Sequence, residues 1–308
     1  MLPRVADSLS FLYLDMVRIV QDDTGVCARI DANEDRTDLV YLPTAAISCL
    51  LLGPGVSITT PALATLARHG TSVICTGAGG VRAYAGILSD SLTTHWFEQQ
   101  VQAWADPDRR LDVAIRMYTM RFNDEVPDGI TLNHLRGMEG QRMKALYRHL
   151  TQQHGIGRFR RNYHPDQWDQ QDPVNLALSG ANTCLYGIVH AALLALGCSP
   201  ALGFVHSGKQ HAFVYDIADL YKAETTIPLA FSLHQSHNPE QEARRKFRDG
   251  LRLIRLLPRI VQDVQALLTD EALDLDERSE RHDVDMVHLW DPVAGVLPAG
   301  LNYAQGGD

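Results

Sequence analysis

The feature that most constrains this chain is a change of texture near residue 86. Before it, apolar residues come in short extended runs, SFLYLDMVRIV, GVCARI, DLVYLP, AISCLLL, TSVICT and VRAYAG, separated by turn chemistry such as DDTG, DANED, GPG and GAGG. Runs of that length between Gly, Pro, Asn and Asp predict short strands. PALATLARHG adds one short helix, with Pro61 early and Gly70 at its end. After residue 86 the patterns lengthen to a helical period, first in HWFEQQVQAWA and RRLDVAIRMYTMRFND, then in LNHLRGMEGQRMKALYRHLTQQHG, which ends at Gly155. DPVNLALSGANTCLYGIVHAALLALG has Asp172 as cap, Pro173 at the first turn and Gly197 as terminator. It is apolar nearly all round, so other helices should pack about it. A further helix runs through QEARRKFRDGLRLIRLLPRIVQDVQALL, with a kink or break expected at Pro258. The expected fold class is α+β, with a small sandwich-like β-rich domain over 1–85, a larger all-α catalytic domain over 86–270 and an acidic mobile tail over 271–308.

Composition removes several alternatives. With 45% hydrophobic and 21% charged residues the chain is neither disordered nor fibrous. Its five cysteines, Cys27, Cys49, Cys75, Cys184 and Cys198, are odd in number and lack a CxxC pair, so they read as core residues in a reducing compartment. The run near Phe11 is interrupted by Asp15 and has no secretory cleavage pattern, and the expected location is the cytoplasm. Two long uncharged stretches, 39–67 and 173–208, are broken by prolines and glycines or carry Asn175, Asn182 and His190, which hydrocarbon penalises. The formal charge of −9 sits in the C-terminal segment, where 11 acidic residues from Asp263 onward face only Arg278 and Arg281. The rest balances 26 basic against 26 acidic side chains and is free to carry basic faces.

GFVHSGKQ, residues 203–210, nearly spells a phosphate-binding loop, but Gln210 stands where a magnesium-binding hydroxyl is required and no strand precedes it. GAGG is better explained as a hairpin turn. More informative is the set Glu139, His206, Asp216 and Asp219. Glu139 lies mid-helix between Gly137 and Gly140, each of which costs a helix about 1 kcal/mol relative to alanine. Missing Cβ atoms there would let another backbone or a ligand approach the carboxylate. In HSGKQHAFVYDIADLYK, His206 precedes a helix on which Asp216, Asp219 and Lys222 recur every three residues, hence roughly on one face. Carboxylates about 4 Å apart repel by about 4 kcal/mol at an effective dielectric of 20, so such a cluster needs a proton, a cation or a metal. Carboxylates with one imidazole suit Mg²⁺ or Mn²⁺. The alternative is plain surface charge, with both aspartates bridging to Lys222.

Arginine outnumbers lysine 24 to 4, and guanidinium forks match phosphate oxygens. Arg136 to Tyr163 holds seven basic residues against Glu139, and Arg244 to Arg259 holds seven against Asp249. Solvated helix faces would give the same pattern. Tyr163, Trp168 and Tyr186 could stack on unpaired bases, although aromatics at helical spacing more often serve a core. His190 reads as a core histidine, and His234 with His237 lack companion cysteines for zinc.

The strings LRGMEGQRMKALY, ANTCLYGIVHAALLALG and GFVHSGKQHAFVYDIADLYK, in that order behind a β-rich segment and GAGGVRAYA, resemble the metal-dependent integrase family of CRISPR adaptation, in the form found in subtype I-E systems. The resemblance covers about residues 8 to 262 and implies Mg²⁺ or Mn²⁺ held by Glu139, His206 and Asp219. It implies active-site support from Lys209, Asp216, Tyr215 and Lys222, and DNA contacts from Arg82, Tyr163, Tyr186 and Arg248. It implies a DNA-strand transferase that inserts short foreign fragments into a CRISPR array by 3′-hydroxyl transesterification without a nucleotide cofactor. It also implies homodimers bridged by the smaller second protein of the adaptation complex. Further expectations are that Lys209 or Lys222 neutralises a nonbridging oxygen or the leaving group, and that Asp216 orients Lys222 or assists proton transfer. The chemistry of the residues leaves open a hydrolytic metal-dependent nuclease on branched or single-stranded DNA, and a noncatalytic DNA-binding scaffold.

Overall fold

The computed structural model describes residues 11–33, 36–78, 83–88, 94–122, 126–157, 159–161, 172–250, 252–269, 288–291 and 295–298. Strands β1 (Phe11–Leu14), β2 (Arg18–Gln21), β3 (Val26–Asn33), β4 (Arg36–Tyr41), β5 (Cys49–Leu52) and β6 (Ser57–Ile58) precede helix α1 (Thr60–Arg68) and strands β7 (Ser72–Thr76) and β8 (Ala83–Ile87). They form two four-stranded sheets, ordered β1-β5-β7-β8 and β4-β3-β2-β6. The first is parallel except for β8, which returns antiparallel to β7. The second is antiparallel except for β6 beside β2.

Side chains alternate across a strand, and β5 uses both of its faces. Leu50 and Leu52 join Ile19, Val26, Ala28 and Val73 with Ala62 and Leu66 of α1 in a core shared by both sheets. Cys49 and Leu51, with Ile74 of β7, belong instead to the core of the helical half. Burial on both faces is why CLLL is a continuous apolar run rather than an alternating one.

The helical half comprises α2 (His95–Ala105), α3 (Pro107–Phe122), α4 (Leu132–Gln153), α5 (Pro173–Ala195), α6 (Ala212–Lys222), α7 (Thr226–Ser232), α8 (Pro239–Gly250) and α9 (Arg252–Leu268). Helix α5 starts as its sequence requires, with Asp172 accepting the Asn175 N–H at 3.1 Å, and Gly197 closes it at φ +76°. Helices α6 to α9 pack around it. A Cβ at Gly180 would lie 2.9 Å from the Glu240 carbonyl oxygen, so glycine sets how closely α8 approaches. By length and composition α5 could cross a membrane, yet 78% of its apolar window is buried inside the protein. Its Asn182 accepts a hydrogen bond from Thr226 at 2.6 Å, which satisfies a polar group in that core.

The α+β order of strands then helices is as the sequence predicts. Of the kink or break expected at Pro258, the break is not there: α8 ends at Gly250, α9 begins at Arg252, and Pro258 is carried inside α9. Met1–Leu268 and Thr269–Asp308 are two compact units. In the second, β9 (His288–Asp291) and β10 (Gly295–Pro298) pair antiparallel.

Candidate active site

Asp216 sits one turn into α6 with its side chain fully buried. A buried carboxylate must be compensated, and this one is compensated by the turn that precedes its own helix. Its Oδ2 accepts the N–H groups of Phe204 and Val205 at 2.5 and 3.0 Å, and its Oδ1 accepts the N–H of His206 at 2.9 Å. Oδ1 also lies 2.6 Å from Nδ1 of His206. That bond, against burial, holds the His206 pKa above its ordinary value. It also favours the tautomer whose proton is on Nδ1, leaving Nε2 as the lone-pair donor. The sequence expectation that Asp216 orients Lys222 is not what the structure displays. Lys222 Nζ pairs with Asp219 Oδ1 at 2.5 Å, three residues along the same helix, and Asp216 faces the opposite partner, the imidazole.

His206, Asp216 and Asp219 line one open cavity together with Glu139 of α4, 67 residues before His206 in sequence. The carboxylates of Glu139 and Asp219 are linked by a residue the sequence reading did not single out, Arg121 at the end of α3. Its Nη1 bonds Glu139 Oε1 and lies 4.0 Å from Asp219 Oδ2. Among the described residues no three His, Cys, Asp or Glu side chains stand as a closed metal cluster. The geometry accounts for this, since Glu139 is turned to Arg121 and Asp219 to Lys222. The donor types fit a hard divalent ion, two carboxylates with one imidazole nitrogen on one cavity wall. Burial pulls the Lys222 pKa down, but the adjacent Asp219 carboxylate outweighs it and holds the ammonium above its usual range.

The turn carrying His206 is held from outside as well. Gln100, fully buried in α2, donates to the carbonyls of Ser199 and Leu202 at 2.9 and 3.1 Å and accepts the Ser199 N–H at 2.8 Å. Trp104 donates to Gly203 O at 3.1 Å, Arg110 of α3 donates to Phe204 O at 3.1 Å, and Arg136 bonds Val205 O. A Cβ at Gly203 would lie 2.7 Å from His206 O and 2.8 Å from the Ala212 carbonyl carbon. This is why GFVH resembles a phosphate loop in spelling: its first glycine serves close packing of turn on helix. Gln100, Trp104 and Arg110 were invisible to motif reading because they are about a hundred residues from the backbone they hold, and no local pattern marks a residue that bonds a distant carbonyl. Arg121 had one faint signal, a charge at the end of the apolar run MYTM.

Among the other expected residues, Tyr215 packs edge-on against Tyr186 at 5.0 Å between ring centres and lies 5.8 Å from the His206 ring. The Lys222 ammonium stands 4.8 Å from the centre of the Tyr186 ring, so both tyrosines brace the cluster. Lys209 is exposed on the turn before α6 and does not line the cavity. Arg82, Tyr163 and Trp168 lie outside the described residues, and Arg248 is described only as part of α8. Glycines 137 and 140 admit no protein neighbour, since a Cβ at either would meet nothing within 4 Å. The expected backbone approach there is not found, and the two glycines themselves face open space rather than a neighbouring element. The second basic run is partly neutralised: Arg244 pairs with Glu240, Lys246 with Glu242 at 4.0 Å and Arg259 with Glu224 at 2.6 Å. His190 is half-buried on α5 with its ring edge-on to His211 at 5.0 Å, and burial with that neighbour lowers its pKa to about 4. His234 bonds the Phe231 carbonyl at 3.0 Å through Nδ1.

The chain is 39% identical over 312 residues to CRISPR-associated endonuclease Cas1 2 of Thermus thermophilus, covering all of this chain and 93% of that protein. This protein belongs to the Cas1 family. The family model for CRISPR associated protein Cas1 matches residues 119–253, which contain Arg121, Glu139, His206 and Asp219. CRISPR-associated endonuclease Cas1 of Escherichia coli K12 is 35% identical over 305 residues, covering 97% of this chain and 94% of that Cas1. The crystal structure of a TtCas1–DNA complex superposes with a TM-score of 0.77 at 38% identity, covering 87% of this chain and all of the other. The α+β arrangement is shared with TtCas1.

Proposed function

We propose that this chain is a divalent-metal-dependent DNA endonuclease and integrase of the subtype I-E kind, acting in the cytoplasm, which joins short foreign DNA fragments to a CRISPR array. The observation that carries this reading is the meeting of Glu139, His206 and Asp219, from α4, the turn before α6, and α6 itself, on one cavity walled by Arg121 and Arg136. Membership of a family whose relatives are named endonucleases, and likeness to a Cas1 bound to DNA, support it.

Glu139, His206 Nε2 and Asp219 would hold Mg²⁺ or Mn²⁺, which when bound supplies a Lewis acid for the scissile phosphate. Asp216 keeps the His206 proton on Nδ1 and fixes the turn. Arg136, at the exposed rim of the cavity, offers its fork to the phosphate backbone. Lys222, fully charged beside Asp219, is placed to offset negative charge growing on the leaving oxygen, and Tyr215 and Tyr186 hold His206 and Lys222 in register. The attacking group is a fragment 3′-hydroxyl, so one phosphodiester forms as another breaks and no nucleotide is consumed. Residues 1–85 would serve the homodimer contact and, through Arg82, the DNA backbone. Residues 86–270 would carry the chemistry, and 271–308 would be an acidic tail. Tyr163 and Arg248 are assigned further DNA contacts, Lys209 active-site support, and a smaller second protein the bridging of two dimers.

The test incubates the purified protein, with and without that small partner, with fragment DNA and a supercoiled CRISPR plasmid. Strand joining should require Mg²⁺ or Mn²⁺, stop with chelator, and vanish in Glu139→Ala, His206→Ala and Asp219→Ala while DNA affinity survives. Products carrying only hydrolysed ends would favour the plain nuclease. Unchanged joining in all three variants would remove the metal assignment.

A further inference from the structure

The site contains a fixed cation that the metal assignment does not employ. Arg121 has a side chain only 6% exposed, and its two anionic partners are the same Glu139 and Asp219. Nη2 lies 2.9 Å from Sδ of Met143, the guanidinium stands 4.8 Å from the Phe122 ring centre, and Nε is buried with no hydrogen-bond partner. A guanidinium cannot discharge by losing a proton, so the charge stays wherever the side chain goes. Glu139 and Asp219 are balanced by Arg121, with Lys222 also on Asp219, while Asp216 is compensated separately by its turn and the His206 imidazole. A divalent ion drawing on Glu139 and Asp219 would upset that balance and leave a buried guanidinium without its anions, an unfavourable state unless another anion arrives.

We propose that Arg121 is an exchangeable counter-ion: it neutralises Glu139 and Asp219, is displaced from them by the divalent ion, and transfers its donors to a nonbridging phosphate oxygen of bound DNA. Metal and DNA then bind with positive coupling, because each removes the charge imbalance the other creates. The inference rests on the metal assignment above, and its test separates the two.

The experiment titrates Mn²⁺ into the full-length protein with and without a DNA fragment, reading free Mn²⁺ by its electron paramagnetic resonance signal and following the melting transition in parallel. Arg121→Gln removes the competing cation, so Mn²⁺ affinity without DNA should rise about fivefold or more, and the gain conferred by DNA should shrink by a similar factor. Arg121→Lys, which keeps the charge but loses the Nη2 contact to Met143 and the reach of the guanidinium, should shift both quantities in the same direction by less. A cooperatively melting Arg121→Gln protein with unchanged or weaker Mn²⁺ binding overturns the proposal. If Arg121→Gln does not fold, wild-type behaviour of Arg121→Lys in both titrations overturns it. Glu139→Gln distinguishes the failures. Should it bind Mn²⁺ as wild type does, the metal assignment itself falls, whereas loss of binding there beside an unaffected Arg121→Gln defeats only the counter-ion role.

Discussion

The Asp216 carboxylate lies 2.6 Å from His206 Nδ1 while accepting the backbone N–H groups of Phe204, Val205 and His206 itself. One buried anion thus fixes both the path of the turn and the tautomer of the imidazole. An amide at this position turns one acceptor oxygen into a donor facing N–H groups. Asp216→Asn is expected to weaken Mn²⁺ binding by about 10- to 100-fold, the usual effect of removing the partner that orients a ligating histidine. Calorimetric titration measures this, and affinity within twofold of wild type would show that the turn holds its shape without the carboxylate.

Glycines at two places should respond in opposite directions. Gly203→Ala forces a Cβ against the His206 carbonyl and the Ala212 backbone and should cost about 1–3 kcal/mol. Gly137→Ala adds a Cβ into open space on an exposed helical position and should gain up to about 1 kcal/mol. Urea unfolding midpoints of the two variants, moving apart around wild type, are the expected outcome.

Gln100 is the buried residue that ties α2 to the segment before His206. Gln100→Leu keeps the volume but leaves the Ser199 N–H and two carbonyls unpaired, at a cost of about 2 kcal/mol or more. A melting temperature equal to wild type would mean that solvent or a rearranged turn satisfies those groups.

His190 supplies a pH dependence of definite sign. Its folded-state pKa is held at about 4 against an ordinary 6.5 by burial, with His211 adding to the effect. Between those values the unfolded chain binds the proton and the folded chain does not. The stability this residue contributes is therefore complete above pH 6.5 and is lost as pH falls towards 4. His190→Gln should flatten the fall of unfolding free energy across that window, and parallel curves for the two proteins would refute the assignment.

Much of the fold was legible because its signals are local. Asp172, Pro173 and Gly197 mark the ends of α5, and the strands stop at their glycine and proline turns, since caps and turns are decided within a few residues. The break after α8 was misplaced because Pro258 is a strong local signal, yet the buried faces of Leu256, Leu257, Ile260 and Val261 keep α9 continuous through it. Tertiary burial overrode a local preference there. In the site, Asp216, Asp219 and Lys222 share a helix and could be grouped by period, but period could not tell which faced the imidazole and which the ammonium.

The sequence by itself determined the order of strands and helices, the identity of the core helix and the chemical types available to a site, because caps, turns and apolar periods act over a few residues. Only the tertiary structure decided that Glu139 meets α6, that Asp216 serves His206 rather than Lys222, and that Arg121 stands between two carboxylates. Those pairings depend on side chains brought together by packing of α3 against α4 and α6, and the energy of a buried charge is set by its neighbours in space, which no spacing along the chain encodes.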